Sequence, residues 1–282
     1  MSLLAVSIVM TLVTLSVGSW GWLILAANAA PLRDATRNLL AEPVPDRANE
    51  RLRLALFSSA VWVLTPAFMS TYAKSLAGVF GMTNDALWPV VLNCLSSSVV
   101  LLTVWSVALY VLRDKNPQQT AWTTTSSLRM VRRIQRDCKT GVMGFVLAVL
   151  PVAIALVVSQ SFRSKQTQHS MLKLLANHPG SATVVCVVLA AVVLAPLVEE
   201  LVFRVLLQGW LQTLLRPPVA IGIVAVGFSA VHGWPDMLPL IPLACVLGVM
   251  FYFTRSYLAV VVTHALFNLT NVVLAVLTVA NR

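Results

Sequence analysis

Uncharged residues fill eight long stretches of the chain, at 1–32, 54–73, 86–112, 141–162, 174–198, 217–235, 237–254 and 256–281. Most match the roughly 20 apolar residues that a membrane-crossing helix requires. Polar and apolar positions do not alternate with a period of two inside them, which excludes the strands of a transmembrane barrel. The pattern predicts an all-α protein, a polytopic integral membrane helix bundle of about eight transmembrane helices.

Composition agrees. Of 282 residues, 58% are hydrophobic and 11% charged, with a mean hydropathy of +0.84, against about 25% charged in an average soluble domain. Disorder and collagen are excluded on the same ground. The four cysteines, Cys94, Cys138, Cys186 and Cys245, have no paired spacing and read as apolar packing residues.

The net charge of +10 is accounted for by topology and does not require nucleic acid. If the first residue lies outside, the basic segments Arg33 to Arg53 and Arg113 to Lys139 fall on the cytoplasmic side together with Arg216 and Arg255. Both termini are then outside, in a membrane expected to be a bacterial plasma membrane. Ala27-Asn28-Ala29 resembles a signal-peptide cleavage site, yet no Lys or Arg precedes Arg33, so an uncleaved first span is expected. In the second basic segment Arg129, Arg132, Arg133 and Arg136 share a helical face opposite Met130, Val131, Ile134 and Cys138. That face predicts a helix lying on the cytoplasmic leaflet with anionic lipid as its partner.

Ionisable groups within a bilayer are costly and usually serve a function. Residues 1–140 hold helices and basic loops but no chemical motif; residues 141–282 hold all the candidates. Glu199 and Glu200 sit together between apolar runs, followed by Arg204. At 100° per residue Glu200 and Arg204 share a face and should pair. Glu199 is turned about 100° from Glu200, which suits it to act as a general base while the pair supports it. Phe228 and His232 lie four apart in the next apolar stretch, and His264 and Asn268 four apart in the last. The first pair can seal an imidazole into the bundle beside a water. The second offers donors for an oxyanion. One site would satisfy all three, and it would hydrolyse a peptide bond without a covalent intermediate, because no Ser or Cys nucleophile has a matching base.

The ordered set EExxxR at Glu199, Glu200 and Arg204, FxxxH at Phe228 and His232, and HxxxN at His264 and Asn268 resembles the CPBP family of intramembrane endopeptidases, which includes type II CAAX prenyl endopeptidases and bacterial Abi proteins. The resemblance covers about residues 182 to 275. It implies a CPBP-like protease core in which Glu199 and His232 activate water and His264 and Asn268 stabilise the oxyanion, acting on a membrane-associated or lipidated protein or peptide. No cofactor is expected to be required. Glu199, His232 and His264 also suit zinc by residue type, but HExxH is absent.

Two other classes compete: a non-catalytic scaffold or bacteriocin-immunity-type protein that keeps the buried polar network, and, lower in rank, a proton-coupled transporter. One further feature is geometric. A straight helix over residues 182–214 would be about 50 Å long, beyond a hydrocarbon core of about 30 Å, so Pro196 is expected to kink or break it.

Overall fold

The computed structural model describes residues 3–26, 48–82, 87–112, 127–162, 174, 177 and 180–279. Among these there are helices and no strand. The elements are α1 (Leu3–Ala26), α2 (Ala48–Thr71), α3 (Ala73–Val79), α4 (Trp88–Leu112), α5 (Ser127–Ser159), α6 (Ser181–Leu211), α7 (Pro217–Ala230), α8 (Met237–Thr254) and α9 (Tyr257–Val279). All but α3 and α7 are long and apolar enough to cross a membrane, seven helices among the described residues. The chain is a multi-pass membrane protein.

Three expectations change in detail. The sixth uncharged stretch forms a helix of only 14 residues, about 21 Å long. It stops at Ala230 because Gly233 turns left-handed (φ +77) and Pro235 follows, both of which favour termination. His232 therefore lies in the turn after α7 and not within a helix. The arginine-bearing segment is not a separate surface helix either. It is the first part of α5, a 33-residue helix that runs on into the fourth span, and a division of the chain at residue 140 falls inside it. The backbone at Arg129 belongs to α5; its side chain lies outside the described residues, as do Ala27-Asn28-Ala29 and the loop histidines His169 and His178.

The third change concerns α6. The helix does not break at Pro196; it widens. Val188–Leu194 and Leu201–Gln208 are π-helical, with α-helical Ala195–Glu200 between them. π-Helical turns are rare and shift the register of every residue that follows. Pro196 has no N–H to give, and in the π register the carbonyl it would have served is that of Ala191, five residues back. Asn268 Nδ2 donates to this Ala191 oxygen at 2.7 Å, and Tyr257 Oη donates to Leu197 O at 2.6 Å. Two side chains of α9 thus fasten α6 on either side of Pro196.

Hydrogen bonds also give the helix directions. Trp20 Nε1 donates to Leu147 O and Leu150 N to Ser16 Oγ, so α1 and α5 run antiparallel. Gln208 Nε2 donates to Gly248 O, and Arg255 Nη1 to Gln212 Oε1, so α6 and α8 run in the same direction. Trp105 near the end of α4 stacks by Tyr257 at the start of α9, and Phe162 just past α5 by Trp234 just past α7. Apart from the seven-residue α3, successive helices alternate in direction, α7 included.

α5 and α9 approach closely through small residues. Thr263 Oγ1 lies 2.8 Å from Gly141 O and 3.0 Å from Ala259 O. A Cβ on Gly141 would come within 2.7 Å of Val262 Cβ and 2.8 Å of Ala259 O, too close to a backbone atom to relax. Gly141→Ala is expected to cost about 1–3 kcal/mol and to lower the thermal unfolding midpoint in detergent, whereas Gly222→Ala, which meets nothing within 4 Å, should leave it unchanged or raised.

Candidate active site

Glu200 is fully buried and makes two contacts. Arg204 Nε donates to its Oε2 at 3.0 Å, and His264 Nδ1 lies 2.8 Å from its Oε1. A buried carboxylate needs such partners, because an unpaired charge in low dielectric costs several kcal/mol. Arg204 is equally buried, with its guanidinium carbon 4.9 Å above the Phe228 ring. Phe228, also fully buried, packs edge-on against Phe203 and His264 and lies 4.9 Å from the His232 ring. One aromatic ring thus touches the supporting cation and both imidazoles.

Glu199, one residue earlier, turns away from this core. Its Oε2 lies 3.8 Å from His232 Nε2 and 3.9 Å from His264 Nε2, and among the described residues no protein group hydrogen-bonds to it. The imidazoles are oriented from behind: His232 Nδ1 lies 2.8 Å from Phe228 O, and His264 Nδ1 faces Glu200. Both Nδ1 atoms meet acceptors and so carry protons, which leaves both Nε2 atoms directed at Glu199. His264 is 3% exposed at its side chain and His232 23%, so only the latter borders open space.

These separations fit a water and a metal ion differently. A water about 2.8 Å from Glu199 Oε2 and from an imidazole nitrogen would subtend about 90° between them. Zinc, bonded at about 2.0–2.1 Å in tetrahedral geometry, would need its ligand atoms only about 3.3 Å apart. The three side chains as they stand suit a water and are too far apart for zinc.

The site forms the floor of a cavity of about 1080 Å³, just above the usual 300–1,000 Å³ for ligand pockets. Glu199, His232, His264 and Asn268 all line it. Asn268 gives one N–H to Ala191 and retains a second. The opposite wall comes from the first half of the chain, where sequence reasoning found no chemistry: Asn93, Ser96 and Ser97 of α4, with Trp62 and Pro66 of α2. Their signal was available as three polar residues at i, i+3 and i+4 in an uncharged span.

A second feature went unread. The four-residue spacing of Glu200 and Arg204 continues through Gln208 and Gln212, all buried, and ends at Arg255, which bonds Gln212. Arg204 Nη1 and Nη2, Gln208 Oε1 and Gln212 Nε2 have no protein partner among the described residues. Groups of this kind are served by internal water in most proteins. Arg204→Leu, which strands Glu200, is expected to cost about 3–5 kcal/mol. Unfolding of the Glu200→Gln, Arg204→Leu and double variants should show a double loss well below the sum of the single losses.

No curated protein sequence and no solved structure matches the chain. The segment that contains all three motifs, residues 181–270, matches the family described as type II CAAX prenyl endopeptidase Rce1-like.

Proposed function

We propose that the protein is an intramembrane endopeptidase in which Glu199 and His232 activate a water for attack on a peptide carbonyl. The observation that carries this reading is the convergence of Glu199 Oε2 with two imidazole Nε2 atoms, at 3.8 and 3.9 Å, on the floor of the cavity. The family match over residues 181–270 supports the same class of chemistry.

Glu199 takes a proton from the water as its oxygen bonds to the carbonyl carbon. His232, fixed by the Phe228 carbonyl, holds that water in line. The oxygen of the tetrahedral intermediate takes hydrogen bonds from His264 and from the free N–H of Asn268. His264 can donate from Nε2 because Glu200, bonded to its Nδ1, stabilises the imidazolium. Collapse breaks the C–N bond, and Glu199 passes its proton to the leaving amine.

The cavity walls suit an extended peptide. Its backbone amides lose water on entering and need new partners, which Asn93, Ser97 and Asn271 can supply along an otherwise apolar surface.

In proteoliposomes carrying a quenched fluorescent peptide library, the unaltered protein should cleave at least one peptide. Glu199→Gln and His232→Ala should each lower kcat by about 10²–10⁴-fold, and Asn268→Ala by about 10²–10³-fold, with unfolding midpoints of Glu199→Gln and His232→Ala unchanged. Undiminished cleavage by Glu199→Gln would falsify the assignment.

We also propose that the first turns of α5 contact anionic lipid. Arg133 and Arg136 are 73% and 71% exposed at their side chains, and the neighbouring Met130, Val131 and Ile134 are exposed too, as befits an interfacial segment. Phosphatidylglycerol should raise the unfolding midpoint of delipidated protein more than phosphatidylcholine does. Arg132→Gln, Arg133→Gln and Arg136→Gln together should erase the difference.

A further inference from the structure

The cavity and the positive charge of this chain lie on opposite sides of the bundle. One face gathers the ends of α1, α4, α6 and α8 and the starts of α2, α5, α7 and α9. In the sequence, the segments that join these ends to these starts hold five arginines from Arg33 to Arg53, seven Lys or Arg from Arg113 to Lys139, and Arg216 and Arg255, fourteen of the twenty basic residues. The sequence places the rest at Lys74 in α3, at Arg163, Lys165 and Lys173 between α5 and α6, and at Arg282 after α9, and Arg204 is internal. An excess of this size in short connections sets orientation, with the basic face cytoplasmic.

The cavity belongs to the other half. Its lining comes from the early part of α4 (Asn93, Ser97), the late part of α2 (Pro66) and the later part of α9 (Asn271), and it reaches Leu174 and Asn177 between α5 and α6. Toward the arginine face the floor is closed by Phe203, Arg204, Gln208, Phe228 and Leu247, none more than 5% exposed. A polypeptide coming from the cytoplasm would meet that plug, not Glu199.

We propose that the substrate reaches this site from the non-cytoplasmic side of the membrane, as an exported peptide or the outward-facing juxtamembrane stretch of a membrane protein. This rests on the protease reading for the chemistry but not for the direction of access. It narrows the substrate class: a lipidated tail presented by a cytoplasmic protein is on the wrong side.

Two measurements test it in intact Gram-negative cells expressing the full chain. Alkaline phosphatase fused after Arg282 should be active and green fluorescent protein at the same point dark, each by about tenfold over the converse. A membrane-impermeant maleimide should label Asn177→Cys in intact cells above the level of the unaltered chain, with its four native cysteines, and should label Arg133→Cys only after permeabilisation. A fluorescent green fusion with an inactive phosphatase fusion, or labelling of Arg133→Cys from outside, overturns the proposal. Failure to label Asn177→Cys while the fusions report an outside terminus also overturns it, because the cavity mouth is then not open to that side. Neither readout needs catalysis. A reversed orientation with cleavage intact removes only this inference, and the stated orientation without any cleavage removes only the protease.

Discussion

Everything in this site depends on Glu200 finding partners for both of its oxygens inside a bundle of aliphatic side chains. Arg204 and His264 each take one, at 3.0 and 2.8 Å. A buried ion pair is poor evidence for stability, since an apolar replacement of both partners is often neutral or better. Its value here is directional. By occupying His264 Nδ1, Glu200 fixes which nitrogen of that ring faces Glu199, and by holding Arg204 against Phe228 it fixes the wall on which His232 rests. The geometry of the proposed site follows from an arrangement that hydrophobic packing alone would not select.

Glu199 and Glu200 are adjacent, yet they occupy different environments. Ala195–Glu200 is ordinary α-helix, so successive side chains diverge by about 100°, and one carboxylate enters the core as the other enters the cavity. The π-helical stretches on both sides determine where that divergence points. Their cost is carried by α9, whose Asn268 and Tyr257 satisfy carbonyls around Pro196. Asn268 thereby joins backbone repair and the cavity in one side chain, which ties the register of α6 to the position of the last motif.

Much of the fold was legible because bilayer-spanning segments advertise themselves by length and absence of charge. Among the described residues each of the eight apolar stretches holds a helix, and the Glu200–Arg204 contact followed from simple helical spacing. Other features were hidden for physical reasons. The π register of α6 arises from tertiary bonds to α9 that no local pattern encodes, so Pro196 suggested a break where the structure has a widening. His232 looked helical because its apolar neighbours mask the left-handed Gly233 that ends α7. Asn93, Ser96 and Ser97 carry no charge, and only their placement across the cavity from Glu199 gives them significance.

The bundle is polarised along its axis, and the polarity has one origin. α6 carries its expensive groups in the order Glu199, Glu200, Arg204, Gln208, Gln212, from cavity floor toward the arginine face. Negative charge therefore lies toward the open half and positive charge toward the closed one. Each step after Glu200 is buried and makes one hydrogen bond within the protein, to Glu200, Gly248 or Arg255, so the arginine half can be dense while the other half remains open. The general base proposed at Glu199 needs a cavity on one side of it and a rigid, charged support on the other. An amphiphilic stripe on a single helix, read at four-residue intervals, supplies both.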